Sequence, residues 1–152
     1  QSHDSQGSGD RLATAEAAKG MTTGAHGSTF GGNPLAMAVG KAAFSIISSD
    51  EILNNVNEVA GYFKQQLHGL QERYPDVIAE VRGKGLLMGL KLIPNNRDFM
   101  GWARDEAQLL VAGGGDNLVR ILAPLNISRD EAQEAVERLE KTCAYARTQM
   151  AG

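Results

Sequence analysis

The residues best suited to chemistry lie in one glycine-rich stretch, Gly24-Ala25-His26-Gly27-Ser28-Thr29-Phe30-Gly31-Gly32-Asn33-Pro34. Its glycines permit positive φ and let a ligand approach the backbone closely. Ser28 and Thr29 add two hydroxyls and two backbone N–H groups. Asn33 and Pro34 start a helix, the first as a capping side chain, the second with φ preset for the first helical position. A hydroxyl-bearing loop that feeds a helix N-terminus suits an anion, most simply a phosphate. The spacing is not that of the P-loop, which places Lys-Ser or Lys-Thr after its glycines, nor is it Gly-x-Gly-x-x-Gly. The same residues also suit a connecting loop that binds nothing, with Ser28 as its cap. His26 invites a general-base role, but no Asp or Glu stands at a triad spacing, and a loop-packing role is the expectation.

Arg120 is the second candidate. It sits in the apolar run Leu118-Val-Arg-Ile-Leu122, where a buried, unpaired charge is costly. A buried Arg120 therefore needs a partner, and its planar guanidinium suits a carboxylate held by two hydrogen bonds. An Arg120 on the outer face of an edge strand needs none. No His/Cys cluster has metal-ligand spacing, so neither a metal site nor a catalytic residue is assigned.

The elements that must position these groups follow from periodicity and capping. Residues 1–11 are polar and aperiodic and read as a linker or an added segment. Thr14 to Lys19 predicts a short helix ended by Gly20. Pro34 to about Ile47 predicts a helix apolar nearly all round, which expects burial on several sides. Ser48-Ser-Asp-Glu51 fits a capping box, and the following helix runs to about Arg73 with Ile52, Val56, Val59, Phe63, Leu67 and Leu70 on one face. His68 falls on its surface. After the Tyr74-Pro75-Asp76 turn, Val77–Val81 and Leu86–Leu92 read as strands around an Arg82-Gly-Lys-Gly85 turn, with Arg82 and Lys84 as solvated charges. Arg97 to Ala107 is a helix, Leu109–Val111 a short strand, Gly113-Gly-Gly115 a flexible turn and Leu118–Leu122 a strand. A second capping box, Ser128-Arg-Asp-Glu131, opens a helix to about Thr148 whose apolar face carries Ala132, Ala135, Val136, Leu139, Cys143 and Ala146. The order predicts a compact α/β layer, with helices on one side of a small sheet.

The chain has 152 residues, 42% of them hydrophobic and 22% charged, and a net charge of −3. That balance describes one globular core and argues against a nucleic-acid partner, which needs a basic face. No apolar run reaches the ~20 residues that span a bilayer, and no signal peptide is visible. The lone Cys143 cannot form an internal disulfide and reads as a packed thiol. These features point to the cytoplasm.

The string from Leu12-Ala-Thr-Ala-Glu-Ala-Ala-Lys-Gly-Met21 through Gly27-Ser-Thr-Phe-Gly-Gly-Asn-Pro34, with Arg82-Gly-Lys-Gly-Leu86, Leu109-Leu-Val111 and Gly115-Asp-Asn-Leu-Val-Arg-Ile-Leu122, closely resembles the class III pyridoxal-phosphate aminotransferases, and among them the acetylornithine branch. The likeness covers about residues 12 to 145. It implies the C-terminal portion of a fold-type I transferase: residues 12–33 as a remnant of the large cofactor-binding domain with the phosphate loop, 34–73 as bridging helices, and 74–152 as the small α/β domain. It implies that Thr29 binds the phosphate of pyridoxal phosphate across a dimer interface, that Ser28 lies at an acylated amino-acid substrate, and that Arg120 lies near the substrate carboxylate. One departure is Ala123 before Pro124, where the family usually has two prolines. The implied reaction moves an amino group between N-acetylornithine and 2-oxoglutarate in arginine or lysine biosynthesis. The resemblance places the Schiff-base lysine just before Gln1, and Lys19 is out of register for that role. The expectation is therefore a parent enzyme that holds the cofactor and a chain that does not bind it stably alone. The alternative expectation is a non-catalytic, truncated or engineered domain that self-associates.

Overall fold

The computed structural model describes residues 13–22, 24 and 27–151. The chain divides between Ser49 and Asp50 into two compact units.

The first unit begins with α1 (Ala15–Ala18), capped by the Thr14 hydroxyl, which accepts from Ala17 N at 3.2 Å. Thr14 and Lys19 are its caps, so the helix is one residue shorter at each end than the Thr14–Lys19 span predicts. In α2 (Pro34–Ile47), Asn33 Oδ1 accepts from Ala36 N at 2.8 Å, and Pro34 occupies the first turn, as the sequence predicts. The predicted Ser48–Glu51 capping box does not form. Ser48 closes α2, its hydroxyl donating to Phe44 O at 2.7 Å, and the next helix starts two residues later, at Asp50. The predicted burial of α2 is not met within this chain either. Leu35, Val39, Phe44 and Ile46 are all exposed, Leu35 by 75%.

The second unit holds the core. Its α3 (Asp50–Arg73) buries Val59, Phe63, Leu67 and Leu70 at the predicted spacing, and His68 lies exposed beside Gln71. β1 (Ile78–Lys84) and β2 (Leu87–Leu92) form an antiparallel hairpin. Arg82-Gly-Lys is therefore strand, not turn: Arg82 pairs with Gly89 and Lys84 with Leu87. Gly83 makes this possible at φ +132°, since a Cβ there would lie 2.3 Å from Leu87 O. Arg82 is not a free turn charge: it donates to Glu80 at 2.7 Å and to Asp116 at 3.1 Å, whereas Lys84 is exposed.

α4 (Asn96–Ala107) is capped by Asn95 and ends in left-handed Gln108. The predicted strand at Leu109–Val111 moves to β3 (Ala112–Gly114), which pairs with β4 (Leu118–Leu122). Leu109–Val111 instead leads from the helix end to the sheet, with Leu109 and Val111 half-buried against the core. The turn falls on Gly115-Asp116-Asn117, where Asp116 (φ 57°) and Asn117 (φ 55°) adopt the left-handed conformation their short polar side chains tolerate. Asn117 pins this corner: its Oδ1 accepts from Asn96 N, and its Nδ2 donates to the carbonyls of Leu92 and Pro94, all at 2.8 Å.

The sheet order is β1-β2-β4-β3, antiparallel throughout. Met88, Leu90 and Leu92 of β2 and Val119 and Ile121 of β4 are buried with Phe63, Phe99, Leu139 and Cys143 in one core. Strand alternation puts Arg82, Leu87, Gly89, Arg120 and Leu122 on the opposite face. α5 (Arg129–Met150) opens with the predicted capping box: Ser128 Oγ accepts from Glu131 N, and Glu131 Oε2 accepts from Ser128 N. It runs two residues beyond the predicted Thr148. Each fully buried Leu or Phe contributes about 1.5–3 kcal/mol, so the second unit carries most of the apolar stabilisation.

Candidate functional site

The glycine-rich loop turns through Gly24 at φ +84° and Gly32 at φ +72°. Ser28 Oγ accepts from Gly31 N at 3.0 Å, and Asn33 Nδ2 donates to Phe30 O at 2.7 Å. Ser28 is thus the loop's own cap. Thr29, between these two bonds, is exposed, and nothing among the described residues hydrogen-bonds to its hydroxyl. A hydroxyl on a loop fixed by its neighbours can donate to an anion with little reorganisation. His26 lies outside the described residues.

Arg120 is neither buried nor on an edge strand. It lies on β4, between β2 and β3, and its side chain is exposed on the sheet face opposite the helices. Gly89 and Ala112 are its neighbours in register. Its Nε donates to Gly113 O at 3.2 Å, which leaves both Nη groups without a protein partner among the described residues. A solvent-facing guanidinium held by one bond is well placed to take a carboxylate through the other two nitrogens.

Beside Arg120 is an open cleft of about 660 Å³, lined by Asn96, Arg97, Met100, Gly113 and Leu118. Sequence reasoning gave Arg97 no role beyond starting a helix. The detectable signal was the Asn95-Asn96 cap, which brings the first turn of α4 back onto the β3–β4 corner. On the far side of that corner, Lys91 and then Arg82 hold the Asp116 carboxyl below its ordinary value. The Cys143 thiol is pushed up to about 12, chiefly by burial and then by Glu140 nearby, so it is an inert packed group. Among the described residues there is no His/Cys/Asp/Glu group able to hold a metal, and no helix is long and apolar enough to cross a membrane.

Residues 9–143 match the family described as aminotransferase class-III. The chain belongs to that family. Acetylornithine aminotransferase 2 of Caulobacter vibrioides is 68% identical over 140 residues, which cover 92% of this chain and 34% of the relative. Among solved structures, acetylornithine aminotransferase from Elizabethkingia anophelis superposes with a TM-score of 0.73 at 30% identity, over 88% of this chain and 36% of that one. Ornithine aminotransferase from Toxoplasma gondii, in a structure reporting partial occupancy of pyridoxal phosphate at its active site, superposes with a TM-score of 0.75 at 26% identity over 86% and 32%. The chain thus spans about a third of the length of these class-III relatives. Its small antiparallel sheet with covering helices is one part of their α/β transferase fold.

Proposed function

We propose that these residues serve a cytoplasmic, homodimeric aminotransferase that moves an amino group between N-acetylornithine and 2-oxoglutarate, in arginine or lysine biosynthesis. The observation that carries this reading is the 68% identity to a relative named acetylornithine aminotransferase, sustained over 92% of the chain. That likeness disfavours the alternative of a non-catalytic self-associating domain.

The exposed Thr29 hydroxyl, without a partner among the described residues, fits the phosphate end of pyridoxal phosphate, and we assign it that contact. Ser28 Oγ, occupied by Gly31 N, would meet the acylated substrate only through its remaining donor capacity. Arg120 would take the substrate carboxylate. When bound, pyridoxal phosphate supplies the electron sink for amino transfer. This chain's residues anchor its phosphate and orient the acid. The covalent step requires a lysine amine, and Lys19, exposed on α1 and paired with Glu16, is not proposed for it. With one assigned cofactor contact, the chain alone is proposed to hold pyridoxal phosphate weakly.

The test is an enzyme of the relatives' full length that carries these residues. It should transaminate N-acetylornithine with 2-oxoglutarate. Transamination restricted to a different amine would replace the substrate, and no transamination at all would overturn the reading.

A further inference from the structure

We infer that Asn33 is a positioning residue for the cofactor's phosphate: its carboxamide ties Phe30 to the first turn of α2 and thereby fixes the Thr29 hydroxyl. The inference rests on the proposal that Thr29 meets that phosphate, and it adds a residue that acts through Thr29. The argument begins with what holds the loop. Residues 27–32 are all exposed, Phe30 by 65%, so packing within the chain does not fix them and hydrogen bonds must. Asn33 is half-buried. Its Oδ1 accepts from the N–H of Ala36, which among the described residues is the buried one of the first unit. Its Nδ2 donates to Phe30 O at 2.7 Å.

The residue type supports the same reading. Ser, Asp and Asn cap helices about equally well, because capping needs only a side-chain acceptor. Of the three, only Asn carries an acceptor and an amide donor on one planar group. The donor is what the loop uses. Phe30 O also accepts from Asn33 N, but at 3.4 Å, beyond the usual range for such a bond. The side-chain bond is therefore the firmer closure of the turn from Phe30 to Asn33. Gly32, third in that turn, has φ +72°, which a type II turn takes there. On the other side of Thr29, Ser28 Oγ accepts from Gly31 N at 3.0 Å. Thr29 thus lies between two pinned neighbours. A loop ordered beforehand does not lose affinity to its own ordering when a ligand arrives.

The test is equilibrium dialysis of pyridoxal phosphate, and of pyridoxal without its phosphate, against an enzyme of the relatives' full length that carries these residues. The variants are Thr29→Ala, Asn33→Ser and the two combined. Serine keeps the capping acceptor and lacks the amide donor. Asn33→Ser should weaken pyridoxal phosphate about fivefold, the scale of one hydrogen bond, and leave pyridoxal unchanged. In the Thr29→Ala background it should add nothing, since the hydroxyl it positions is gone. Unchanged retention in Asn33→Ser alone overturns the positioning role and leaves Thr29 as a phosphate contact. Equal weakening of pyridoxal also overturns it, by showing a general effect on the fold. So does an undiminished further loss in the double variant, which would show an action that bypasses Thr29. Thr29→Ala without effect overturns the reading of Thr29, and this inference with it.

Discussion

Thr29 and Ser28 are adjacent hydroxyls that differ in what remains for a ligand. Ser28 accepts from Gly31 N, whereas Thr29 has no partner among the described residues. In an enzyme of the relatives' full length, Thr29→Ala should weaken retention of pyridoxal phosphate by about 1–3 kcal/mol, the range for a hydrogen bond to a charged group. Equilibrium dialysis reads this directly; equal affinities would make the loop a connector only. Asp116 offers a prediction in pH. Its carboxyl accepts from Lys91 and Arg82 and lies below its ordinary 3.8. A depressed folded value means that its contribution is present above the unfolded pKa and is lost as pH falls through the folded one. Carbon-13 titration should place the Asp116 midpoint below 3.8, and Lys91→Met should move it upward; an unmoved midpoint would show that Lys91 does not hold it. At Cys143 the thiol lies at about 12 and is buried. An aromatic disulfide reagent should label it at pH 8 only after denaturant is added, and prompt labelling of the folded chain would contradict its place in the core.

Among elements, α5 is the one whose start depends most visibly on a few atoms. Ser128 and Glu131 satisfy each other's backbone N–H groups. Ser128→Ala should cost about 1 kcal/mol, read as a lower urea midpoint with unchanged slope. A midpoint that does not move would show that the rest of α5 holds the first turn unaided. This box was legible because its residues are neighbours in the chain. So were the apolar face of α3 and the start of α2, which rest on local spacing and capping. The Ser48 box was expected from spacing alone, but the hydroxyl of Ser48 reaches back to Phe44 O and closes α2 instead. The strand at Leu109–Val111 was misplaced because glycines look like punctuation. Gly113 and Gly114 form ladder pairs here, as Asn117 and Asn96 lock the corner from 21 residues apart. Of the candidate site, the loop was legible from its composition. The exposure of Arg120 and its nearness to Arg97 were not, because both depend on which strand lies beside β4.

Across the whole molecule, stability is unevenly divided. The second unit contains Phe63, Phe99, Leu67, Leu90 and Leu139, all fully buried, whereas in the first only Ala36 among the described residues is buried. Hydrogen exchange should therefore show α5 and the central strands among the slowest amides, and α1 among the fastest. Comparable rates in α1 and α5 would mean that the first unit has cover that its exposure does not show.

The strand order β1-β2-β4-β3 also bears on synthesis. β2 (Leu87–Leu92) emerges from the ribosome long before its second neighbour, β4 (Leu118–Leu122), exists. In that interval one edge of an apolar strand is bare, and bare edges recruit other chains. A translational pause before β4 has left the ribosome prolongs that exposure; once β4 has emerged, its pairing with β2 seals the edge.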